Sequence, residues 1–268
     1  MKTVLFITSL FISASIFSQN IGQENGSKIN YKDINGLKQG VWKKKYENGN
    51  IKYEAYFIDN KPVGNFKKYD KYGNLIAKVV YDTITDFARA KFYYSNKKIL
   101  AEGNYIGKKK DSIWSYYSDN GTKFLQESYS KGIKDGVFKM YSRDKKLLEE
   151  KTWKNGIEDG LWKRYYSNGD LKTEVYKKEG VLDGEFKSWY RDGKKYMEGK
   201  YVNGLMEGVW FKYKKTGDID KIYRYKHGYS PEAEKEGEEM VKEMLNNKGK
   251  YQGPRGANDT EWLRQIDN

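Results

Sequence analysis

An aromatic residue returns at a fixed step of 24 along this chain: Trp42, Phe66, Trp114, Phe138, Trp162, Phe186 and Trp210, with Ala90 filling the third of the eight places. The step does not drift. A period of this length means stacked copies of one small unit, each unable to bury its apolar side alone, so contacts run from copy to neighbouring copy.

Each repeat reads as a β-hairpin. With the marker as position zero, glycine lies two places before it in six repeats: Gly40, Gly64, Gly136, Gly160, Gly184 and Gly208. An aromatic lies three places after it in seven: Tyr69, Tyr93, Tyr117, Tyr141, Tyr165, Trp189 and Tyr213. Positions six and seven carry turn residues such as Asn48-Gly49, Asn120-Gly121 and Asp192-Gly193. Asn-Gly and Asp-Gly favour type I′ turns, which need positive φ at both central residues. A second turn glycine ends most repeats, at Gly132, Gly156, Gly180, Gly204 and Gly228.

A two-residue loop at positions six and seven pairs residues whose positions sum to thirteen, so position one faces position twelve. The resulting pairs include Lys43–Glu54, Lys91–Glu102, Lys139–Glu150, Lys163–Glu174 and Lys187–Glu198, and only Lys67–Lys78 opposes like charges. Opposite charges placed so stabilise a strand pair by roughly 0.2–1 kcal/mol, and like charges destabilise it. Alternation places the markers on one face with positions nine and fifteen, the apolar side; the position-three aromatics share the other face with the Lys–Glu pairs. The fold class is therefore all-β: an elongated single-layer antiparallel sheet of stacked hairpins. The third repeat, with Ala90 and Ala88, is expected to kink or pack weakly.

The ends differ from the array. Residues 1–18, led by Lys2 and apolar from Thr3 to Phe17, read as a secretory signal peptide, and 19–34 as a linker. The repeats occupy 35–228. Residues 229–268 read as a C-terminal helix and tail: Ser230-Pro231 starts a helix whose Ala233, Gly237, Met240, Val241, Met244 and Leu245 fall on one face, and Trp262, Leu263 and Ile266 form a further short segment. The helix is expected to cap the sheet. The chain carries +14, and from Tyr229 onward nine acids face six bases, leaving the repeats more basic still.

The string Asn155-Gly156-x3-Gly160-x-Trp162-x2-Tyr165-x2-Asn168-Gly169, with Glu174 and Tyr176 after it, resembles the MORN-repeat variant family. The resemblance spans about residues 35–228 and implies single-layer sheets of hairpins used as scaffolds and binding surfaces. MORN proteins in general are associated with membrane lipids and protein assembly, and related bacterial chains carry an antitoxin-like label that implies little mechanism.

An enzyme is not expected. One histidine, His227, and no cysteine remove His/Cys metal clusters and most nucleophile–base pairs. No metal and no cofactor are expected. Carboxylates facing lysines are held ionised, the wrong direction for a general acid. The candidate partner-binding residues are Lys67, Lys78 and Arg89, where the charge pairing fails; the aromatic row from Tyr69 to Tyr213 is the candidate aromatic face. The reading is an exported (periplasmic or secreted), non-enzymatic scaffold that presents its sheet to a protein or an anionic envelope component, lipid or glycan. The alternative is a carbohydrate- or cell-wall-binding module. Export makes nucleic acid an unexpected partner, and no membrane span follows the leader.

Overall fold

The computed structural model describes Gly22–Glu24 and residues 27–246. Residues 1–18, read as a signal peptide, and Trp262, Leu263 and Ile266 lie outside the described residues, as do the side chains of Met244 and Leu245. The chain divides into two compact bodies between Thr122 and Lys123.

The N-terminal body holds β1 (Gly22–Glu24), β2 (Ser27–Ile29), β3 (Tyr31–Lys32), β4 (Lys38–Lys45), β5 (Ile51–Ile58), β6 (Lys61–Tyr69), β7 (Leu75–Tyr81), β8 (Phe87–Tyr93), β9 (Ile99–Ile106) and β10 (Lys109–Tyr117). The C-terminal body holds β11 (Lys123–Ser130), β12 (Ile133–Lys134), β13 (Gly136–Tyr141), β14 (Leu147–Lys154), β15 (Ile157–Tyr165), β16 (Leu171–Lys178), β17 (Val181–Trp189), β18 (Lys195–Val202), β19 (Leu205–Tyr213), β20 (Ile219–Tyr225) and the single helix α1 (Pro231–Asn246). In both bodies the repeat strands form an open antiparallel meander, each paired with the strands next to it along the chain. The segment read as a linker carries β1–β3, and β3 pairs along β4.

The sum-to-thirteen register is present: Lys43↔Glu54, Lys67↔Lys78, Lys91↔Glu102, Lys139↔Glu150, Lys163↔Glu174 and Lys187↔Glu198 stand opposite one another. The turn that was expected to set it is different. Only position seven is left-handed, as in Gly49 (φ 86°), Gly73 (φ 90°) and Gly169 (φ 98°). Gly49 N–H donates to Tyr46 O (3.0 Å) and Tyr46 N–H to Asn50 O (2.8 Å). This is a three-residue loop, a type I turn followed by one left-handed residue, which makes a bulge. Alone it would set the sum to twelve. A second bulge corrects it: Lys44 faces Tyr53, but Lys45 faces Ile51, leaving Lys52 extra. Two one-residue offsets cancel before the charge pairs are reached.

The second bulge also moves position nine to the other face. Ile51, Leu75, Ile99, Leu147, Leu171 and Ile219 stand opposite the position-three residues, not beside the markers as expected. The packed face is instead built from positions zero, eleven, thirteen and fifteen, with Trp42, Tyr53, Ala55 and Phe57 buried together.

True type I′ turns close the other end of the repeat. Asn155 and Gly156 have φ 50° and 85°, and Asn203 and Gly204 have φ 49° and 83°. Next to each, three residues oppose one: Lys151 faces Trp162 and Trp153 faces Glu158, so Asp159–Leu161 bulge opposite Thr152. Gly160 takes φ 123° there, and a Cβ on it would lie 2.9 Å from the Thr152 Cβ. All six glycines two places before the marker have positive φ, and this is why glycine recurs there. Ser112 occupies that place in the fourth repeat and adopts φ 57°.

The third repeat departs from the pattern, though not by packing weakly. Ala88 stands in the glycine place, and β7 and β8 pair without a bulge. The residues that a bulge absorbs elsewhere go into the loop from Asp82 to Phe87, where the Asp82 carboxylate accepts the Ile84 and Thr85 N–H groups at 2.8 and 2.7 Å. Ala88, Ala90 and Ala101 are buried, and Trp114 is 0% exposed. Ala90 faces Gly103, whose missing Cβ would lie 2.4 Å from Trp114 Cδ2. Small residues here make room for the indole of the next repeat.

In the C-terminal body the packed face is partly charged. Glu158 takes Lys151 at 2.6 Å and Lys177 at 2.5 Å, while Lys134 lies 2.7 Å from Glu127. The Lys177 ammonium lies 4.7 Å from the centre of the Trp162 ring and that of Lys134 4.9 Å from the centre of Trp153. Such contacts let long cationic chains cover aromatic surface that lacks a second layer.

Helix α1 is docked by charge. Ser230 Oγ caps it, accepting Ala233 N–H at 3.4 Å. Glu236 accepts the Tyr223 hydroxyl and binds Lys221 at 2.9 Å and Lys212 at 3.2 Å. Ala233 and Gly237 are half-buried, but Met240 and Val241 are about half exposed (53% and 52%). Of the expected apolar capping face, only the first turns meet the sheet. Among the described residues no helix is long and apolar enough to cross a membrane.

Candidate binding face

The face opposite the markers carries a cross-strand charge ladder. Each position twelve faces position one of its own repeat and position one of the next. The C-terminal body thus runs Lys139–Glu150–Lys163–Glu174–Lys187–Glu198 in strict alternation. Lys163 meets Glu174 at 2.9 Å, and Lys139 meets Glu150 at 3.7 Å. In the N-terminal body the ladder runs Lys43–Glu54–Lys67–Lys78–Lys91–Glu102. Three lysines stand in succession. The outer two are paired, Lys67 with Glu54 at 2.9 Å and Lys91 with Glu102 at 3.2 Å. Lys78, between them, has no carboxylate among the described residues.

Lys67, Lys78 and Arg89 therefore do share a face, but Lys67 is compensated by the preceding repeat. Arg89 lies one residue pair further along, opposite Val80 and Asn104, with its guanidinium 5.7 Å from the Phe87 ring centre. Lys91 belongs to the cluster and was missed by the sequence reading, which counted position twelve against one neighbour only.

The aromatic row is tied to the same ladder. The hydroxyls of Tyr69 and Tyr117 donate to Glu54 (2.9 Å) and Glu102 (2.7 Å), and Tyr213 donates to Glu198. Burial and then the glutamate bond push the pKa of Tyr69 and Tyr117 up to about 12. For Tyr213 the bond to Glu198 comes first, and the value is again about 12. Tyr165 is raised by burial and by the charge of Glu150. Tyr141 stands opposite Leu147 and Trp189 opposite Lys195. Tyr93 differs in what its hydroxyl meets: its place in the ladder faces Lys78, where Tyr69, Tyr117 and Tyr213 find a glutamate and Tyr141 has Gln126.

A neighbouring row, unseen in the sequence reading, staples repeats together. Tyr46, Tyr94, Tyr166 and Tyr190, at position four, donate to the position-three carbonyls of the next repeat (Tyr69, Tyr117, Trp189 and Tyr213) at 2.7–2.8 Å. Their signal was the recurrence of Tyr one place beyond the aromatic row. Between Tyr69 and Tyr93 lies a groove of about 420 Å³, also lined by Tyr72, Gly73, Asn74, Leu75 and Lys97. Among the described residues no group of three or more His, Cys, Asp or Glu stands close enough to hold a metal ion.

Hairpins of fixed length, stacked through glycine bulges and bearing a side-chain ladder in each body, define a β-hairpin repeat scaffold. The family model described as MORN repeat variant matches the chain five times, at residues 38–59, 88–106, 134–155, 158–177 and 182–203. The chain is a protein of MORN-variant repeats. A comparison with curated proteins returned no match.

Proposed function

We propose that this chain is an exported, non-enzymatic scaffold whose ladder face binds an acidic partner, a protein or an envelope component, at the lysine run of its N-terminal body. The observation that carries the reading is the break at Lys78. Elsewhere each ladder lysine stands opposite at least one glutamate, and its residual field is screened within about 8–10 Å at ordinary salt. At Lys78 the field is not cancelled locally and is available to a ligand.

The test captures partners from the envelope of the producing cell with the mature chain. Lys67→Glu with Lys78→Glu is compared with Lys139→Glu with Lys187→Glu. Loss of capture in the first pair alone supports the reading; equal loss, or loss only in the second, refutes it. Export rests on the Lys2-led apolar run. Mass spectrometry of the accumulated protein is expected to find an N-terminus after residues 15–18, and an intact Met1 would remove that part of the proposal.

A further inference from the structure

We propose that the groove between Tyr69 and Tyr93 takes one sugar ring of an acidic polysaccharide, the ring lying between the two tyrosines and its carboxylate meeting Lys78. This deepens the reading above and rests on it.

The groove exists because a bridge is missing. Within the N-terminal body, the turn of the first repeat is tied to the second by Tyr46, Asn48 and Asn50, and that of the third to the fourth by Tyr94, Asn96 and Lys98. The C-terminal body is tied likewise by Lys146, Tyr166 and Tyr190. From the second repeat to the third no side chain crosses among the described residues. Position four there is Asp70, and its carboxylate turns back on its own loop, accepting Tyr72 N–H, Asn74 N–H and Asn74 Nδ2 at 2.8–2.9 Å. The space a tyrosine would fill stays open.

That opening lies beside the break in the ladder: Lys78 stands opposite Lys67 and Lys91, two residues along their strands from Tyr69 and Tyr93. Tyr69 and Tyr93 are one repeat, two strands, apart, which is about 9–10 Å. Ring faces touch their neighbours at about 3.5–4 Å, so one saturated ring can contact both. Asn74 and Lys97 line the groove, the Tyr93 hydroxyl has no protein partner among the described residues, and Lys78 stands where Tyr69, Tyr117 and Tyr213 find a glutamate. Aromatic walls with amide, hydroxyl and ammonium donors suit a hydroxylated ring bearing an anion. A peptide fits less well: β7 and β8 are interior strands paired on both sides, so no backbone edge is offered for strand addition.

The experiment uses residues 19–268 and calorimetry. The probes are a uronic-acid oligosaccharide, its carboxyl-reduced neutral counterpart and a polyglutamate peptide. The uronic-acid oligosaccharide is expected to bind, with the neutral sugar and the peptide each at least ten-fold weaker. Tyr93→Ala and Lys78→Gln should each weaken binding ten-fold or more, while Tyr165→Ala should not. Asp70→Tyr, which restores the staple, should close the groove and abolish binding in a chain that is no less stable. Absence of binding by the wild type, equal binding of polyglutamate, or full binding by Asp70→Tyr overturns the proposal. If the sugar fails while the Lys67/Lys78 reversal still abolishes partner capture, the ligand class is wrong and the scaffold reading stands. If both fail, the lysine run has no binding role.

Discussion

Lys78 sits between two other lysines, so the sheet bears a repulsion that its neighbouring repeats avoid. Replacing it by glutamate restores the alternation with Lys67 and Lys91. Each directly opposed pair is worth roughly 0.2–1 kcal/mol, so Lys78→Glu is expected to stabilise by about 0.5–1.5 kcal/mol. Urea unfolding would read this as a higher midpoint with unchanged slope, shrinking as salt is raised. Lys163→Glu, between Glu150 and Glu174, should do the opposite. The tyrosine–glutamate bonds predict an alkaline effect. Tyr69, Tyr117 and Tyr213 have pKa values raised from 10.0 to about 12, so folding favours the protonated phenol. That contribution is complete below pH 10 and is lost as pH climbs through about 12. Ultraviolet titration of tyrosinate should show the Tyr→Phe variant of each residue losing one late-titrating group.

Turns and bulges make the next scale testable. Lys145 takes the left-handed place that glycine holds in most repeats, with φ 61°. A side chain there costs about 1 kcal/mol, so Lys145→Gly should stabilise by somewhat less than that, glycine losing more entropy on folding. At Gly199 the reverse holds: a Cβ would lie 2.1 Å from Trp210 Cδ2. Gly199→Ala should destabilise by about 1–3 kcal/mol, with a shift in tryptophan emission marking the displaced indole. The hairpin register was readable because charges at positions one and twelve report it directly. The turn type was not. Asn48-Gly49 and Asn155-Gly156 are the same dipeptide, yet one closes a three-residue loop and the other a two-residue one. What separates them is a compensating bulge whose extra residue is Lys52, Ile76 or Leu100, chosen by no visible rule. In the candidate site Lys78 was legible as a like-charge pair. The groove beside it was not, because it is made by what Asp70 fails to do.

At the scale of the whole chain, net charge divides the molecule. The repeats are strongly basic and the segment from Tyr229 is acidic. Helix α1 meets the sheet through Glu236, whose pKa is lowered from 4.5 to about 2, chiefly by the Tyr223 hydroxyl and then by Lys221 and Lys212. A depressed carboxyl stabilises docking above pH 4.5 and ceases to do so as pH falls through about 2. Hydrogen exchange should therefore show α1 losing protection at lower acidity than β19 and β20, and Glu236→Gln should loosen the helix already at neutral pH. The third repeat bears on the chain's history as well as its packing. It spends on a longer loop the residues its neighbours spend on a glycine bulge, and the frame downstream does not move. Because length is balanced inside each copy, whole copies can be gained, lost or exchanged by recombination without shifting a single charge pair, so the reach of the ladder is free to change while its local chemistry is inherited intact.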